Sequence, residues 1–326
     1  MHKVVLVGAG RIGHIHARNA ARHPRIELAG VVDAVEASAS ALAQEYHTTV
    51  TDLDTALADA SVDGIIVASS TDTHLEYCQR AAAAGKAVFC EKPLDQDAAR
   101  ARSVAEQLTG ARLLVAFNRR FDPNFQTLKT RLDSGDIGPL ESLQITSNDP
   151  APPPASYIAV SGGLFKDMAI HDFDMARWLL GEEPATVFAT GSCLVDPAIG
   201  ELGDVDTARC ILTTASGKLC VIANSRRSGF GYDQRIEAFA SAGMVRADNV
   251  TESTVQVWNE EGATSDRFQN FFLDRYAEAY RREMDHFADM LDGNPAAVGY
   301  ADGLAALTLA EAATESLRSG QPVQLP

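Results

Sequence analysis

The residues of this chain with the clearest chemical signature lie at its start. Val4-Val5-Leu6-Val7 runs into Gly8-Ala9-Gly10-Arg11-Ile12-Gly13, an apolar strand leading through Gly-x-Gly-x-x-Gly into a helical pattern. Glycines at this spacing permit a tight turn and a close approach of the backbone to a ligand. The helix that follows offers N–H groups and a positive dipole end to a pyrophosphate. Gly8, Gly10, Arg11, Ile12 and Gly13 are therefore candidates for holding a dinucleotide. Asp33, at the end of the second strand, stands about 20 residues past the motif, where an acid accepts hydrogen bonds from the ribose hydroxyls. The same carboxylate repels a 2′-phosphate, and Ala34 and Val35 supply no arginine to neutralise one, so NAD is expected rather than NADP. FAD would need more binding surface than this first domain offers.

Two further segments carry groups suited to proton transfer. Glu91-Lys92-Pro93 follows the apolar run Ala87–Cys90. In an open α/β sheet, ligands gather at the carboxyl ends of strands, so Lys92 would face the cofactor cleft. The plain alternative is a surface lysine at a strand end. The second segment is Gly162-Gly163-Leu164-Phe165-Lys166-Asp167-Met168-Ala169-Ile170-His171. On a helix Asp167 and His171 share a face, which lets a carboxylate orient an imidazole for general-base work. The plain alternative here is an exposed ion pair.

The elements that would position these groups change character along the chain. Up to about residue 117, short Val- and Ile-rich runs (3–7, 26–32, 64–68, 87–90, 113–117) alternate with Ala-rich helical stretches (12–21, 35–45, 73–84, 96–108). That alternation predicts a parallel sheet covered by helices on both faces. Beyond residue 120 come a helix near 125–132, an extended run at 141–147, a Pro-rich loop at 150–154 and a helix at 165–180. Successive strand-like runs follow at 187–194, 208–214, 218–225, 235–240 and 254–258, and two helices (271–291, 301–319) close the chain. The fold class expected is α/β: a Rossmann dinucleotide-binding domain (1–118), then an α+β domain (119–326) with a large, mostly antiparallel open sheet. One helical cover leaves the second face of such a sheet needing burial, which points to a homo-oligomer.

Bulk properties narrow the partners. The 326 residues carry a net charge of −16, which argues against nucleic acid and anionic membrane. The five cysteines are odd in number and include no Cys-x-x-Cys pair, so they read as small buried hydrophobes in a reducing compartment. Met1-His2-Lys3 runs directly into Val4, and no apolar run approaches the roughly 20 residues that span a bilayer, so a cytoplasmic location is expected. No histidine has companions at metal-ligand spacing, and no metal is expected. His14 and His16 read as packing or surface groups. Arg226-Arg227 reads as a strand end facing solvent or a neighbouring subunit, and Trp178 and Trp258 as core or interface anchors.

Taken together, Gly8–Gly13, Glu91-Lys92-Pro93 and Asp167-x-x-x-His171 after a double glycine resemble the Gfo/Idh/MocA family of NAD(P)-dependent oxidoreductases, over nearly the whole chain. The stretch from Asp167 to Arg177, with Gly231-Tyr232-Asp233-Gln234, is most similar to the branch that oxidises inositol, a cyclic polyol, with NAD. The resemblance implies that Lys92 hydrogen-bonds the reacting hydroxyl while His171, oriented by Asp167, takes its proton, with Lys92 an alternative proton acceptor. It also implies cofactor contacts from Ser69, Thr71, His74, Glu91 and Lys92, although His74 could equally be a helix N-terminal residue without a ligand. Asn118 and Arg119 match substrate-contacting positions, with a structural salt bridge as the rival for Arg119. Asp149, Tyr157 and Tyr232 could bind substrate hydroxyls or simply pack. Members are often tetramers, and a tetramer is implied here.

Overall fold

The computed structural model describes residues 1–325, and their packing divides the chain into two units. The first comprises Met1–Phe121 with Ala279–Leu307, the second Asp122–Glu278 with Thr308–Pro326.

In the first unit, β1 (His2–Val7), β2 (Ile26–Val32), β3 (Thr49–Val50), β4 (Val62–Val67), β5 (Ala87–Cys90) and β6 (Leu113–Val115) form a parallel sheet in the order β3-β2-β1-β4-β5-β6. This is the Rossmann order, with its topological switch between β1 and β4. The central strands are apolar along most of their length because helices cover both faces: Val4, Leu6, Ile65, Ile66, Val88 and Phe89 are all fully buried. The expected helix 96–108 is two pieces, Ala98–Ser103 and Ala105–Leu108. Asp97 caps the first through Ala99 N and Arg100 N, and at Val104 the backbone leaves the helical region (φ −110°, ψ 7°).

A division of the chain by sequence order at 118/119 leaves the closing helix in the second domain. By packing, Ala279–Leu307 belongs to the first unit. The physical reason is visible at Gly64 and Phe89. A Cβ on Gly64 would stand 2.9 Å from the Phe287 ring, and Phe89 meets the same ring edge-on at 5.5 Å. Val115 N donates to Val298 O and Tyr300 Oη to Ala101 O, so this late segment covers β4, β5 and the helix after β5.

The second unit is built on β7 (Leu140–Asn148), β8 (Pro184–Ser192), β9 (Thr207–Thr214), β10 (Leu219–Ser225), β11 (Asp233–Ala240), β12 (Gly243–Ala247) and, near the C-terminus, Val323–Gln324. The sheet order is β12-β11-β7-β10-β9-β8, with Val323–Gln324 outside β8. All pairings are antiparallel except β7 with β10, so the sheet is mixed rather than wholly antiparallel. Side chains alternate along β9 and β10. Ala208, Cys210, Leu212, Cys220 and Ile222 are buried, while Ile211, Leu219 and Val221 stay exposed on the other face, joined there by Phe239 and Met244. Burial, with Asp172 nearby, pushes the Cys210 thiol up to about 12 and raises Cys220 as well, so neither is a nucleophile.

The run at 254–258 does not join this sheet. It forms part of β13 (Gln256–Asn259), which pairs only with β14 (Gly262–Ser265) in a separate hairpin. Every residue of both strands is exposed, so no buried face draws them onto the larger sheet. The expected helix 165–180 opens with one π-helical turn, Phe165–Ala169, before regular helix Ile170–Leu180. The expected helix 271–291 is interrupted at Tyr276, where φ is −108°. There the buried Arg275 pairs with Asp122 and stacks over Phe125 and Tyr276. No helix among the described residues is long and apolar enough to cross a membrane.

Candidate active site

In the first unit the sequence motifs converge at the carboxyl ends of the parallel strands. The glycine loop is forced by geometry. Gly8 has φ +106°, and a Cβ there would lie 2.4 Å from Ala68 O; a Cβ on Gly13 would lie 2.0 Å from Gly8 O. Only bare backbone lets β1, β4 and the first helix, Arg11–Arg22, pack this closely. A Cβ on Gly10, by contrast, would meet nothing within 4 Å. The helix has no side-chain cap and no acid in its first turn, so its N-terminal N–H groups and dipole suit an anion. Asp33 sits at the rim of this loop, its oxygens accepting from Ala9 N at 2.6 Å and Val35 N at 2.7 Å. A bulk-free cradle, an uncapped helix end and a fixed carboxylate together fit a dinucleotide whose ribose is unphosphorylated.

The remaining candidates of this unit lie after β4, β5 and β6. The Ser69 hydroxyl is 2.7 Å from that of Thr73, and Thr71 opens a short 3₁₀ turn. His74 is buried, its ring nitrogens 2.7 Å from Pro93 O and 3.1 Å from Ser69 O. It therefore joins the loop after β4 to the loop after β5. Half-buried Lys92 precedes a cis peptide bond to Pro93. Its neighbour Glu91 lies 2.7 Å from Nε2 of His16, a fully buried ring packed edge-on against Phe89 and Tyr280. His16 thus has a packing role, and it also anchors the segment that carries Lys92. Asn118 and Arg119 lie buried on the turn after β6.

In the second unit, one end of the sheet gathers the other candidates. Asn148 pairs with Ser225 of β10 and with Asp233 of β11, which brings Asp149, Arg226 and Tyr232 to a common edge. Asp149 N donates to Ser225 O, and Tyr232 is buried edge-on against Tyr276. Asp233 is hydrogen-bonded by Arg235, Asn148 and Asn249. Burial would raise its carboxyl, but these donors overcome that and hold it below the usual range. Asp167 lies in the π turn. Its Oδ1 accepts from Tyr157 Oη at 2.8 Å, and its Oδ2 lies 3.2 Å from Arg226 Nη1. Half-buried His171 is the second residue of the regular helix, and the next residue, Asp172, accepts from Asn224 Nδ2 at 2.8 Å, tying the helix start to β10.

Arg226 corrects the expectation of a solvent-facing strand end: it is 1% exposed and ion-paired. The signal was present in the period of two, since Cys220, Ile222, Asn224 and Arg226 all fall on the buried face. The neighbouring Arg227, which is exposed, obscured it.

A Rossmann sheet with a fitted dinucleotide cradle, joined in one chain to a unit that carries Asp167 and His171 four residues apart, has the make-up of an NAD-dependent oxidoreductase. Residues 2–118 match the GFO/IDH/MocA oxidoreductase family, NAD-binding Rossmann fold, and residues 125–246 match the GFO/IDH/MocA C-terminal domain. The chain is 46% identical to inositol 2-dehydrogenase of Rhizobium meliloti over 98% of both chains. It is 45% identical to myo-inositol 2-dehydrogenase of Thermotoga maritima, over 99% of this chain and 98% of that one. The solved structure of scyllo-inositol dehydrogenase from Lactobacillus casei with bound NAD(H) and scyllo-inositol superposes with a TM-score of 0.91, at 30% identity and 99% coverage of both chains. The chain belongs to the Gfo/Idh/MocA family.

Proposed function

We propose that this enzyme oxidises a secondary hydroxyl of a cyclic polyol, converting myo-inositol to its 2-keto form, scyllo-inosose. The observation that carries the reading is full-length likeness to inositol 2-dehydrogenases in a chain that carries Lys92, Asp167 and His171. Gly8, Gly10, Arg11, Ile12 and Gly13 would hold the pyrophosphate of NAD and Asp33 its adenosine ribose, with Ser69, Thr71, His74 and Glu91 shaping the nicotinamide side. NAD, when bound, supplies the hydride acceptor. Lys92 donates a hydrogen bond to the reacting hydroxyl and stabilises the oxyanion as it develops. His171 removes the hydroxyl proton at the same oxygen, its tautomer held by Asp167. Asn118, Arg119, Asp149, Tyr157 and Tyr232 are assigned to the remaining hydroxyls. A site built on such bonds rejects analogues lacking a hydroxyl, because its polar groups are then left unpaired.

Likeness to the scyllo-inositol enzyme supports a second reading, oxidation of that stereoisomer. Purified protein with NAD or NADP and, separately, myo-inositol, scyllo-inositol, D-chiro-inositol and glucose separates the two by NADH absorbance. Turnover of myo-inositol with NAD is the expected result. Activity confined to another cyclitol moves the substrate, and silence across the panel removes the polyol reading.

The reading includes a cytoplasmic enzyme, supported by five free cysteines of which four are buried. It also includes a homotetramer closed through the open sheet face, supported by the exposed Ile211, Leu219, Val221, Phe239 and Met244.

A further inference from the structure

The double glycine before Asp167 and the arginine after β10 belong to one buried arrangement. Arg226 places Nη1 and Nη2 at 3.2 and 3.3 Å from Asp167 Oδ2, and Nη2 at 3.8 Å from Asp204 Oδ2. The other oxygen of Asp204 accepts from Leu164 N at 3.0 Å. That same oxygen would lie 2.9 Å from a Cβ on Gly163, whose φ is +83°. The double glycine therefore seats Asp204 against the chain just ahead of the π turn. Asp204 sets a negative charge at ion-pair distance on one side of the guanidinium, and the guanidinium holds Asp167 on the other. Tyr157 completes the set at Asp167 Oδ1.

A guanidinium this deeply buried is retained only with well-placed acceptors, since an unpaired buried charge is strongly unfavourable. Both terminal nitrogens of Arg226 meet the single oxygen Oδ2 while the Tyr157 hydroxyl holds Oδ1, so the two donors together fix the carboxylate in orientation, and a lysine ammonium would supply only one of the two contacts to Oδ2. We propose that Arg226 is a positioning residue, which fixes the Asp167 carboxylate in the orientation from which it holds the tautomer of His171, with Asp204 as its brace. This rests on the assignment of Asp167 and His171 given under the proposed function. A purely structural arginine would neutralise the two acids without any bearing on the proton transfer.

The test is a double-variant cycle. Arg226→Lys and Arg226→Gln are made in the native chain and in Asp167→Asn, and kcat and KM are measured with NAD and the cyclitol turned over best. NADH binding by fluorescence and the melting temperature are followed in parallel. Arg226→Gln is expected to lower kcat by about 10–100-fold, the scale for a group acting through its neighbour, with NADH affinity unchanged. Arg226→Lys should fall between Arg226→Gln and the native enzyme. In Asp167→Asn neither change should lower kcat further, because groups acting as one unit are non-additive. Should Arg226→Gln fail to fold, the same cycle with Arg226→Lys decides. Losses that multiply in the double variants, or native kcat in both Arg226 variants, overturn the proposal for Arg226 alone. Native kcat in Asp167→Asn by itself would instead remove the role of Asp167 and this proposal with it.

Discussion

A lysine at the end of a strand and an aspartate four residues before a histidine are common features, and under the proposed function their weight comes from the family likeness of the whole chain. If Lys92 and His171 act on the hydroxyl, Lys92→Ala and His171→Ala should each lower kcat by about 10²–10⁴-fold, the usual range for an acid–base group, with NADH affinity near native by fluorescence titration. At the cofactor, Asp33→Ala removes the carboxylate that would meet a 2′-phosphate. The ratio of kcat/KM for NAD over NADP should fall by about tenfold or more, equivalent to losing about 1.4 kcal/mol of discrimination. A fourth residue was silent in the sequence. Glu283 is fully buried, and burial, with Glu91 close by, raises its carboxyl well above the usual range. A raised carboxyl contributes stability at low pH that is lost as pH rises through its folded value. Glu283→Gln cannot deprotonate, so its melting temperature relative to native should climb from mildly acidic to mildly alkaline buffer; a constant difference across that range would contradict the assignment. The tight glycine loop and the fixed place of Asp33 were legible because each answers a local demand of the backbone. Glu283 and Arg226 were not, because their roles depend on side chains far away in sequence.

At the scale of elements, the strands of the Rossmann sheet could be read from their apolar runs, since burial on both faces leaves no alternation to confuse them. Two-residue strands such as Thr49–Val50 and Val323–Gln324 are too short to carry a pattern. The π turn at Phe165–Ala169 was equally unreadable, because helical periodicity survives a single widened turn. Loop anchors are the other hidden class. Asp206, fully buried, accepts from the backbone N–H groups of Leu194, Val195 and Asp196 and from the Thr207 hydroxyl. Although burial opposes it, these bonds hold the carboxyl below its usual range, so the charged form is the stabilising one. Asp206→Ala orphans three N–H groups and should lower stability by on the order of 3 kcal/mol in urea denaturation, with the slope of the transition unchanged.

For the whole molecule, the sequence supplied two domains in the right order, but a boundary drawn along the chain misses a segment that returns. It also supplied a sheet with one face left over, and on that face the structure sets Ile211, Val221 and Phe239 among Arg209, Arg235 and Glu237. If that face closes an assembly, Ile211→Glu with Phe239→Glu should shift the mass in light scattering from tetramer towards smaller species. A native mass in the doubly charged variant would place the interface elsewhere.

The returning segment also sets an order of events during synthesis. The glycine loop, Asp33 and Lys92 all emerge early from the ribosome, yet β4, β5 and β6 lack part of their cover until Phe287 reaches the first two and Val298 the third. The nascent cofactor unit is thus an apolar sheet awaiting part of its lining while residues 122–278 of the second unit are being made. A fragment ending at Phe121 should collect in inclusion bodies, whereas the same fragment fused to residues 279–307 should remain in the soluble fraction and retain NADH.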